Sequence, residues 1–167
     1  TKKNRKNLTM IIKKKVKSSD LTIFKDKKSI EREGYLPINY GNNFIDENDE
    51  IKLFTELELE DDLLSVTIKI DFSYKRICVR CLSPSSNNVV NELSSKVNIY
   101  GENDYELGHN DEYFDLEPII SELIIDKMQN NFICDIKCKG LCAYCGNNLS
   151  KKVCNCEEKN LKESPFS

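Results

Sequence analysis

The clearest structural signal in the chain is an alternation of apolar and polar residues between residues 50 and 72. It consists of two runs separated by the acidic segment Glu60-Asp61-Asp62. The apolar positions are Ile51, Leu53, Leu57 and Leu59 in the first run and Leu64, Val66, Ile68, Ile70 and Phe72 in the second. A period of two is typical of strands with one buried face, and a short polar segment between two such strands predicts an antiparallel hairpin.

A third strand is predicted where apolar residues return at odd positions, at Val89, Leu93, Val97 and Ile99. Since consecutive strands usually lie side by side, a small meander is the simplest topology. Upstream, Leu21, Ile23 and Phe24 indicate a short strand, and Tyr35-Leu36-Pro37-Ile38 indicates an extended segment that anchors against the sheet.

One helix is predicted after an acidic, polar stretch, residues 101–113, that we expect to be an exposed loop. Asp115 is placed to cap this helix, and Glu117 and Pro118 suit its first turn. The residues at helical spacing are Leu116, Ile119, Ile120, Leu123, Ile124 and Met128. We expect this face to pack on the sheet, and the helix to end at Asn130 and Asn131, just before Cys134.

Eight cysteines stand in two blocks, Cys78-Val79-Arg80-Cys81 and Cys134-x3-Cys138-x3-Cys142-x2-Cys145-x8-Cys154-x-Cys156. Thiolates are zinc ligands, and a C-x2-C turn puts two sulfurs on one side of a tetrahedron, so two pairs close a structural site. Gly146, directly after the second turn, lets the backbone turn back and direct N–H groups at the sulfurs. We therefore predict two four-cysteine zinc sites, although other pairings of the cysteines stay open. The predicted sites are Cys78, Cys81, Cys134 and Cys138, and Cys142, Cys145, Cys154 and Cys156.

Three other interpretations of the cysteines are disfavoured. Neighbouring residues such as Cys154 and Cys156 have poor geometry for disulfides. The Cys138 to Cys145 spacing is similar to the cluster loop of radical enzymes that use S-adenosylmethionine, but 22 residues after Cys145 are too few for the barrel of those enzymes. A zinc deaminase requires an H-x-E motif, whereas His109 is followed by Asn and Asp.

Together these patterns predict an α+β fold, a small antiparallel β-sheet in a meander packed by one main helix, with cysteine-rich zinc-binding knuckles. The predicted organisation is a basic arm over residues 1–17, a sheet-plus-helix core over 18–133 with the first knuckle at 78–81, a cysteine-rich tail over 134–157 and an extension over 158–167. No apolar run approaches the roughly 18 residues of a membrane-spanning helix.

Charge is unevenly distributed along the chain. The net charge is −3, but residues 1–17 carry eight basic residues and no acidic one, which leaves 17 basic and 28 acidic residues, or −11, in the rest. An acidic body does not predict a general nucleic-acid-binding surface. Three interpretations of the arm stay open: the remnant of an organelle-targeting region, a solvated tail, or an arm that neutralises phosphates.

Several motifs, in register over roughly residues 50–157, together resemble the YceD family. They are Cys78-Val79-Arg80-Cys81-Leu82, Asp115-Leu116-Glu117-Pro118 at the start of the apolar helix, and Cys134 to Cys156 with its Lys139-Gly140-Leu141 and Gly146-x-Asn148-Leu149. Many members continue into a D-P-R-hydrophobic segment, of which Ser164-Pro165-Phe166-Ser167 is at most the beginning.

The resemblance implies a non-enzymatic biogenesis factor of the large ribosomal subunit that promotes accumulation or assembly of large-subunit ribosomal RNA. The implied partners are that RNA and ribosomal proteins or the pre-ribosome, with neither a membrane nor a small-molecule substrate. The implied location is a plastid or mitochondrion, or alternatively the bacterial cytoplasm. Because some members lack most of the distal cysteines, the site that includes Cys78 is expected to matter more for function and the distal site more for local stability.

Basic residues flank the cysteines, and they come close together if both sites fold as predicted. Tyr144 is placed to stack on an unpaired base, and Arg80 is the strongest candidate because it lies inside the first knuckle. The predicted RNA contacts are Lys75, Arg76, Arg80, Lys137, Lys139, Tyr144, Lys151 and Lys152. The alternatives are charge compensation of the thiolates by the basic residues and simple packing of Tyr144.

A second hypothesis is a protein-binding adaptor, in which the zinc sites present a sheet edge and the acidic loop 102–115 to a basic protein. The net charge favours the adaptor, whereas the resemblance fits either hypothesis. An enzyme is disfavoured, because the sequence has no acid–base pair around His109, no phosphate-cradling glycine loop and no nucleophile elbow.

Overall fold

The fold was derived from a computed structural model that describes residues 11–22, 27–107 and 112–156. The elements are β1 (Lys15–Lys17), α1 (Ser19–Thr22), β2 (Lys28–Gly34), β3 (Ile38–Tyr40), β4 (Asn43–Ile45), β5 (Ile51–Glu60), β6 (Leu63–Ile77), β7 (Pro84–Asn98), β8 (Tyr113–Asp115) and α2 (Glu117–Lys127). Residues 1–10 of the predicted arm, His109 and the predicted extension 158–167 lie outside the described residues.

The main sheet is antiparallel and is built around β6. Strand β7 pairs with β6 along its whole length, from Leu63 opposite Asn98 to Ile77 opposite Pro84. On the other side, the first part of β6 pairs with β5 and its last residues pair with β4. Strand β2 extends the sheet beyond β5, and β3 extends it beyond β4. Strands β1 and β8 form a separate two-stranded sheet.

The predicted hairpin and third strand are present as the consecutive strands β5, β6 and β7. The hairpin turns at Asp61-Asp62, and Asp61 has a φ of 50°, as tight hairpin turns require. Alternation was a reliable signal here because each strand has one buried face. From Leu64 to Tyr74, every second side chain of β6 is buried, while the residues between them are exposed or half-buried.

Three details of the sequence-based fold need correction. The sheet has six strands rather than three, and the predicted main helix is a minor element of eleven residues. Leu21 lies in α1 rather than in a strand, and the other two residues of that predicted strand, Ile23 and Phe24, lie outside the described residues. Within the predicted basic arm Lys15–Lys17 forms β1, and the division of the chain into domains stays a prediction. Residues 28–45 supply the additional strands, and their short or mixed sequences carry too little alternation to predict them.

The hydrophobic core lies between the inner face of the main sheet and α2 with the small sheet. Helix α2 contributes Ile119, Ile120, Leu123 and Ile124, and the small sheet contributes Val16 and Phe114. The residue at the N-cap position of α2 is Leu116 rather than Asp115, and it makes no side-chain cap hydrogen bond. The Asp115 carboxylate, one residue earlier, accepts a hydrogen bond from the N–H of Glu117 at 3.0 Å and so satisfies one free amide of the first helical turn. Within the described ranges, no helix has the length and apolarity to cross a membrane.

Candidate metal centres

The segment between α2 and the cysteine tail is fixed to one end of the main sheet. The buried Tyr74 hydroxyl donates a hydrogen bond to the carbonyl of Lys127 at 3.0 Å. The Asn43 side-chain amide donates to the carbonyl of Gln129 at 3.1 Å, and Arg76 Nη1 donates to Gln129 Oε1 at 3.3 Å. These contacts direct the chain leaving α2 past the end of β6, which Cys78 directly follows.

Phe132 completes this connection. Its carbonyl accepts a hydrogen bond from the N–H of Val79 at 2.9 Å, and its ring packs against the buried cysteines. The guanidinium carbon of Arg76 lies 3.9 Å from the centre of the ring, in a cation–π contact. Cys134 follows two residues later and therefore arrives beside Cys78.

Two knuckles with the same backbone geometry hold four of the cysteines. In the first, the N–H of Leu82 donates to the carbonyl of Cys78 at 2.9 Å. In the second, the N–H of Gly146 donates to the carbonyl of Cys142 at 2.9 Å. The residue after each second cysteine has a positive φ, 56° for Leu82 and 70° for Gly146. Leucine therefore occupies a left-handed position that normally favours glycine.

The eight sulfurs form two groups of four, with the membership that the spacing predicts. Within each group all sulfurs lie within 4.8 Å of one another. The proximal cluster, Cys78, Cys81, Cys134 and Cys138, is buried except for Cys134; the distal cluster, Cys142, Cys145, Cys154 and Cys156, is more exposed. That these clusters bind a metal ion stays a prediction.

Sulfur separations in the proximal cluster suit a tetrahedral ion. The Sγ atoms of Cys78 and Cys138 are 4.0 Å apart, and those of Cys81 and Cys134 are 3.5 Å apart. A tetrahedron with zinc–sulfur bonds of about 2.3 Å has sulfurs about 3.8 Å apart. The four thiols can therefore hold a metal ion with small adjustments of their side chains.

The thiols within each cluster differ in acidity. In the proximal cluster, the backbone N–H of Cys134 and then those of Cys81 and Arg80 donate to the Cys78 sulfur and lower its pKa to about 6. The pKa of Cys134 is raised to about 12, chiefly by its hydrogen bond with Cys81 and by burial. The Cys78 thiolate is thus stabilised before any metal binds, whereas the neighbouring Cys134 thiol resists ionisation.

The distal cluster repeats this arrangement. The N–H groups of Cys145 and Tyr144 donate to the Cys142 sulfur and lower its pKa to about 7. The pKa of Cys156 is raised to about 12, first by its hydrogen bond with Cys145. A bound cation favours the ionised form of every ligand, so metal binding would displace the remaining protons.

Three contacts join the first knuckle to the tail. Arg80 Nη1 donates to the carbonyl of Cys138 at 3.3 Å, and the Asn148 side chain donates to Ser83 Oγ at 3.3 Å. A methyl group on Gly140, whose φ is 76°, would lie 3.1 Å from the carbonyl oxygen of Arg80. The close approach of these two backbones and the positive φ therefore both favour glycine at position 140.

The predicted RNA-contacting residues fall into two groups. Lys75 forms ion pairs with Asp46 and Asp49, and Arg76 is engaged with Phe132 and Gln129. The others are exposed around the cysteines: Arg80, Lys137, Lys139, Tyr144, Lys151 and Lys152. Among these, Arg80 donates a hydrogen bond from one guanidinium nitrogen to the carbonyl of Cys138. It therefore helps to position the tail, whether or not it also contacts RNA.

Sequence reasoning missed several residues of the site. Ser83 and Asn148 bridge the two cysteine blocks, and Phe132 supports the proximal cluster. The clue for Asn148 was its place two residues after Gly146, whereas Ser83 and Phe132 carried no distinguishing signal. Two exposed apolar side chains were also missed, Ile136 at 91% and Val153 at 81% exposure.

The chain matches one protein family over more than half of its length. The family, described as large ribosomal RNA subunit accumulation protein YceD, matches residues 66–167, which include most of β6, all of β7 and α2, and every cysteine. An Arabidopsis thaliana protein named large ribosomal RNA subunit accumulation protein YCED homolog 1, chloroplastic, is 40% identical over 54 residues. The match covers 31% of this chain and 17% of that relative, so the chain spans only a small part of the relative's length. No solved structure matches the chain.

Proposed function

Because the chain belongs to the YceD family, we propose that it is a non-catalytic biogenesis factor that promotes accumulation or assembly of large-subunit ribosomal RNA. The observation that carries this proposal is the exposed basic surface of the cysteine tail. Lys137, Lys139, Lys151 and Lys152 are all exposed, and none of them forms an ion pair with another described residue.

Phosphate contact is the chemistry that this surface favours. Lysines without acidic partners can neutralise phosphates and release counterions, and that term dominates the affinity of nucleic-acid binding. The body of the protein is acidic, so RNA bound at the tail would be repelled elsewhere. The tail therefore contacts the RNA, and the sheet and α2 hold the tail in place.

Zinc is the metal that suits both clusters. Sets of four cysteine sulfurs are typical of structural zinc sites, which are closed and leave no position for substrate. The ion, when bound, supplies the crosslink that holds the tail in a single conformation. From Cys134 onward the tail buries few apolar side chains besides its cysteines, so binding of roughly 10–16 kcal/mol, as in small zinc modules, would account for its order.

The proposed location is an organelle, either a plastid or a mitochondrion. The name of the Arabidopsis relative places that protein in chloroplasts, and this supports a similar location for this chain. The proposed partners are large-subunit ribosomal RNA and ribosomal proteins of the same particle.

A protein-binding adaptor is the second candidate, and a groove beside α2 favours it. The groove has a volume of about 480 Å³. Its walls combine the carboxylates of Glu92, Glu122 and Asp126 with the apolar Leu93 and Leu123. Such a surface suits a basic segment of a ribosomal protein. In this adaptor role the chain would not bind the RNA itself.

In-cell ultraviolet crosslinking distinguishes these two functions. The protein is purified under denaturing conditions and the attached RNA is sequenced; the RNA-binding factor gives reads concentrated in one region of large-subunit ribosomal RNA. Reversal of Lys151 and Lys152 to Glu should abolish those reads and weaken cosedimentation with the large subunit. The matched control is reversal of Lys52 and Lys69, which are exposed on the outer face of the sheet. Background RNA together with co-purifying ribosomal proteins would instead support the adaptor.

A further inference from the structure

A groove next to the distal cluster has the properties of a binding site for a small flat group. Its volume is about 330 Å³. The residues that line it include Lys139, Leu141, Tyr144, Leu149 and Val153. Cys142 and Cys154 also line it, whereas Cys145 and Cys156 do not, so the groove lies beside the cluster rather than within it.

The walls of the groove are fixed by the local fold. Leu141 and Asn148 form an isolated antiparallel bridge, and the N–H of Leu149 donates to the carbonyl of Gly140 at 2.9 Å. The N–H of Lys139 donates to Ser150 Oγ at 2.9 Å. The groove is therefore formed before any ligand arrives, which lowers the entropic cost of binding.

Two side chains at the groove, one aromatic and one aliphatic, are mostly exposed to solvent. Tyr144 is 61% exposed and Val153 is 81% exposed. An exposed tyrosine ring next to aliphatic groups offers a flat surface on which a nucleic-acid base can stack. Val153 directly follows Lys151 and Lys152, so positive charge lies beside the apolar wall.

The charges at the groove favour a nucleotide over an acidic side chain. Within the described part of the chain, no acidic residue lines the groove, and Lys139 is at its side. With a bound divalent ion, four thiolates leave the distal cluster with a formal charge of −2, which would repel a carboxylate close to Cys142 and Cys154. A base is neutral, and its amino or imino groups can donate hydrogen bonds to the sulfurs, while its phosphate lies outside next to the lysines.

We propose that this groove binds one unpaired nucleotide of RNA, with its base stacked on Tyr144 and its phosphate beside Lys139. The proposal rests on the proposed RNA-binding function and adds a preference for unpaired over duplex RNA. In a duplex, a base is stacked between its neighbours and cannot enter such a groove.

The test compares variants of the full zinc-loaded chain on two probes at one salt concentration. The probes are a short fluorescein-labelled single-stranded RNA of mixed sequence and the same strand annealed to its complement. Tyr144→Ala should weaken binding of the single strand by roughly 5- to 150-fold, the loss expected for one base stack, and leave duplex binding unchanged. Tyr144→Phe should bind like the wild type. The control is Tyr100→Ala, since Tyr100 is 59% exposed and lies in the loop after β7.

The outcomes separate this proposal from the proposed function. If Tyr144→Ala binds the single strand as tightly as the wild type, and the wild type still cosediments with large subunits, the nucleotide site is overturned and the function stands. If the wild type binds neither RNA probe and does not cosediment with the large subunit, both the nucleotide site and the proposed function are overturned. If an oligoglutamate peptide displaces the single-stranded RNA as well as unlabelled RNA does, and if Tyr144→Ala no longer binds that peptide, the groove belongs to an acidic peptide. That result would overturn the nucleotide site.

Discussion

The backbone N–H of Cys134 donates a hydrogen bond to the sulfur of Cys78 at 3.4 Å, although 56 residues separate them in the chain. Cys78 directly follows β6, one of the two longest strands of the sheet, and Cys134 begins the tail. The bond shows that the proximal cluster ties the tail to the core, whereas the distal cluster lies entirely within the tail. The two clusters should therefore differ in how far the effect of their loss spreads.

Replacing one cysteine in each cluster tests this difference. Cys78→Ser should remove one metal equivalent and free the tail from the sheet, so that amide protection is lost across residues 132–141, while the segment held by the distal cluster keeps its protection. Cys145→Ser should also remove one equivalent, but protection in β6, α2 and the first knuckle should persist. Metal content by mass spectrometry and hydrogen exchange provide the measurements. Retention of protection across residues 132–141 in Cys78→Ser would contradict the crosslinking role of the proximal cluster.

Two glycines with similar backbone angles form a matched pair. Gly140 has a φ of 76° and Gly146 a φ of 70°, but a methyl group at 140 meets the carbonyl oxygen of Arg80 at 3.1 Å, whereas one at 146 meets nothing within 4 Å. Gly146→Ala should lower the free energy of unfolding by about 1–2 kcal/mol, the cost of a left-handed backbone. Gly140→Ala should cost more, because the first knuckle must also shift. Chemical denaturation of the metal-loaded proteins measures both, and equal costs would argue against the tight approach of the two backbones.

The part of the fold that could be predicted from the sequence is the part with strict alternation. Leu64 to Phe72 repeats every two residues, so β6 and its pairing with β5 were legible. Strands β3 and β4 have three residues each and cannot show a period, and β1 pairs with β8 across nearly a hundred residues. Such pairings depend on packing rather than on any local pattern.

The spacing predicted how the cysteines group, because C-x2-C turns hold two sulfurs together, but it left other pairings open and the structure selects among them. Which charged residues are available to bind RNA could not be predicted from their spacing. Lys75 and Arg76 are predicted RNA contacts, and both also have protein partners, Asp46 and Phe132, that lie far away along the chain. Whether a basic side chain is available to a ligand depends on tertiary neighbours, which composition does not reveal.

Leu82 offers a test of backbone strain at the first knuckle. Its φ is 56° and its side chain is 60% exposed, so little packing would be lost on truncation. Glycine accepts this conformation without strain, whereas alanine keeps the strain and loses the side chain. Leu82→Gly should therefore be about 1–2 kcal/mol more stable than Leu82→Ala, the reverse of the usual order in regular structure. Thermal unfolding of the two variants decides the point, and a more stable alanine variant would count against it.

The Tyr74 hydroxyl should stabilise the junction between the sheet and the tail. It donates to the carbonyl of Lys127 at 3.0 Å and accepts a hydrogen bond from the Asn87 side chain at 3.2 Å, and the residue is 1% exposed. Tyr74→Phe leaves both groups without this partner and should cost about 1–3 kcal/mol. Tyr105→Phe is the control, because its hydroxyl bond to Glu122 is exposed and its loss should cost much less. If denaturant titrations show similar losses of unfolding free energy for Tyr74→Phe and Tyr105→Phe, the buried Tyr74 hydroxyl has no special role at this junction.

Acidification should release metal from the distal cluster before the proximal one. The pKa of Cys142 is lowered to about 7 and that of Cys78 to about 6, and each thiolate is present above its pKa and lost as the pH falls through it. Cys134 and Cys156, with pKa values raised to about 12, are protonated in the metal-free protein throughout this range, so their protons are displaced at every pH. At each pH between 7 and 6 a larger fraction of the Cys142 thiol than of the Cys78 thiol is protonated in the metal-free protein, so metal binding must displace more of this proton at the distal cluster than at the proximal one. A chromophoric chelator at fixed concentration should thus extract metal in two steps as the pH is lowered. The first step should be absent in Cys145→Ser, and its persistence in that variant would show that the order of release is the reverse.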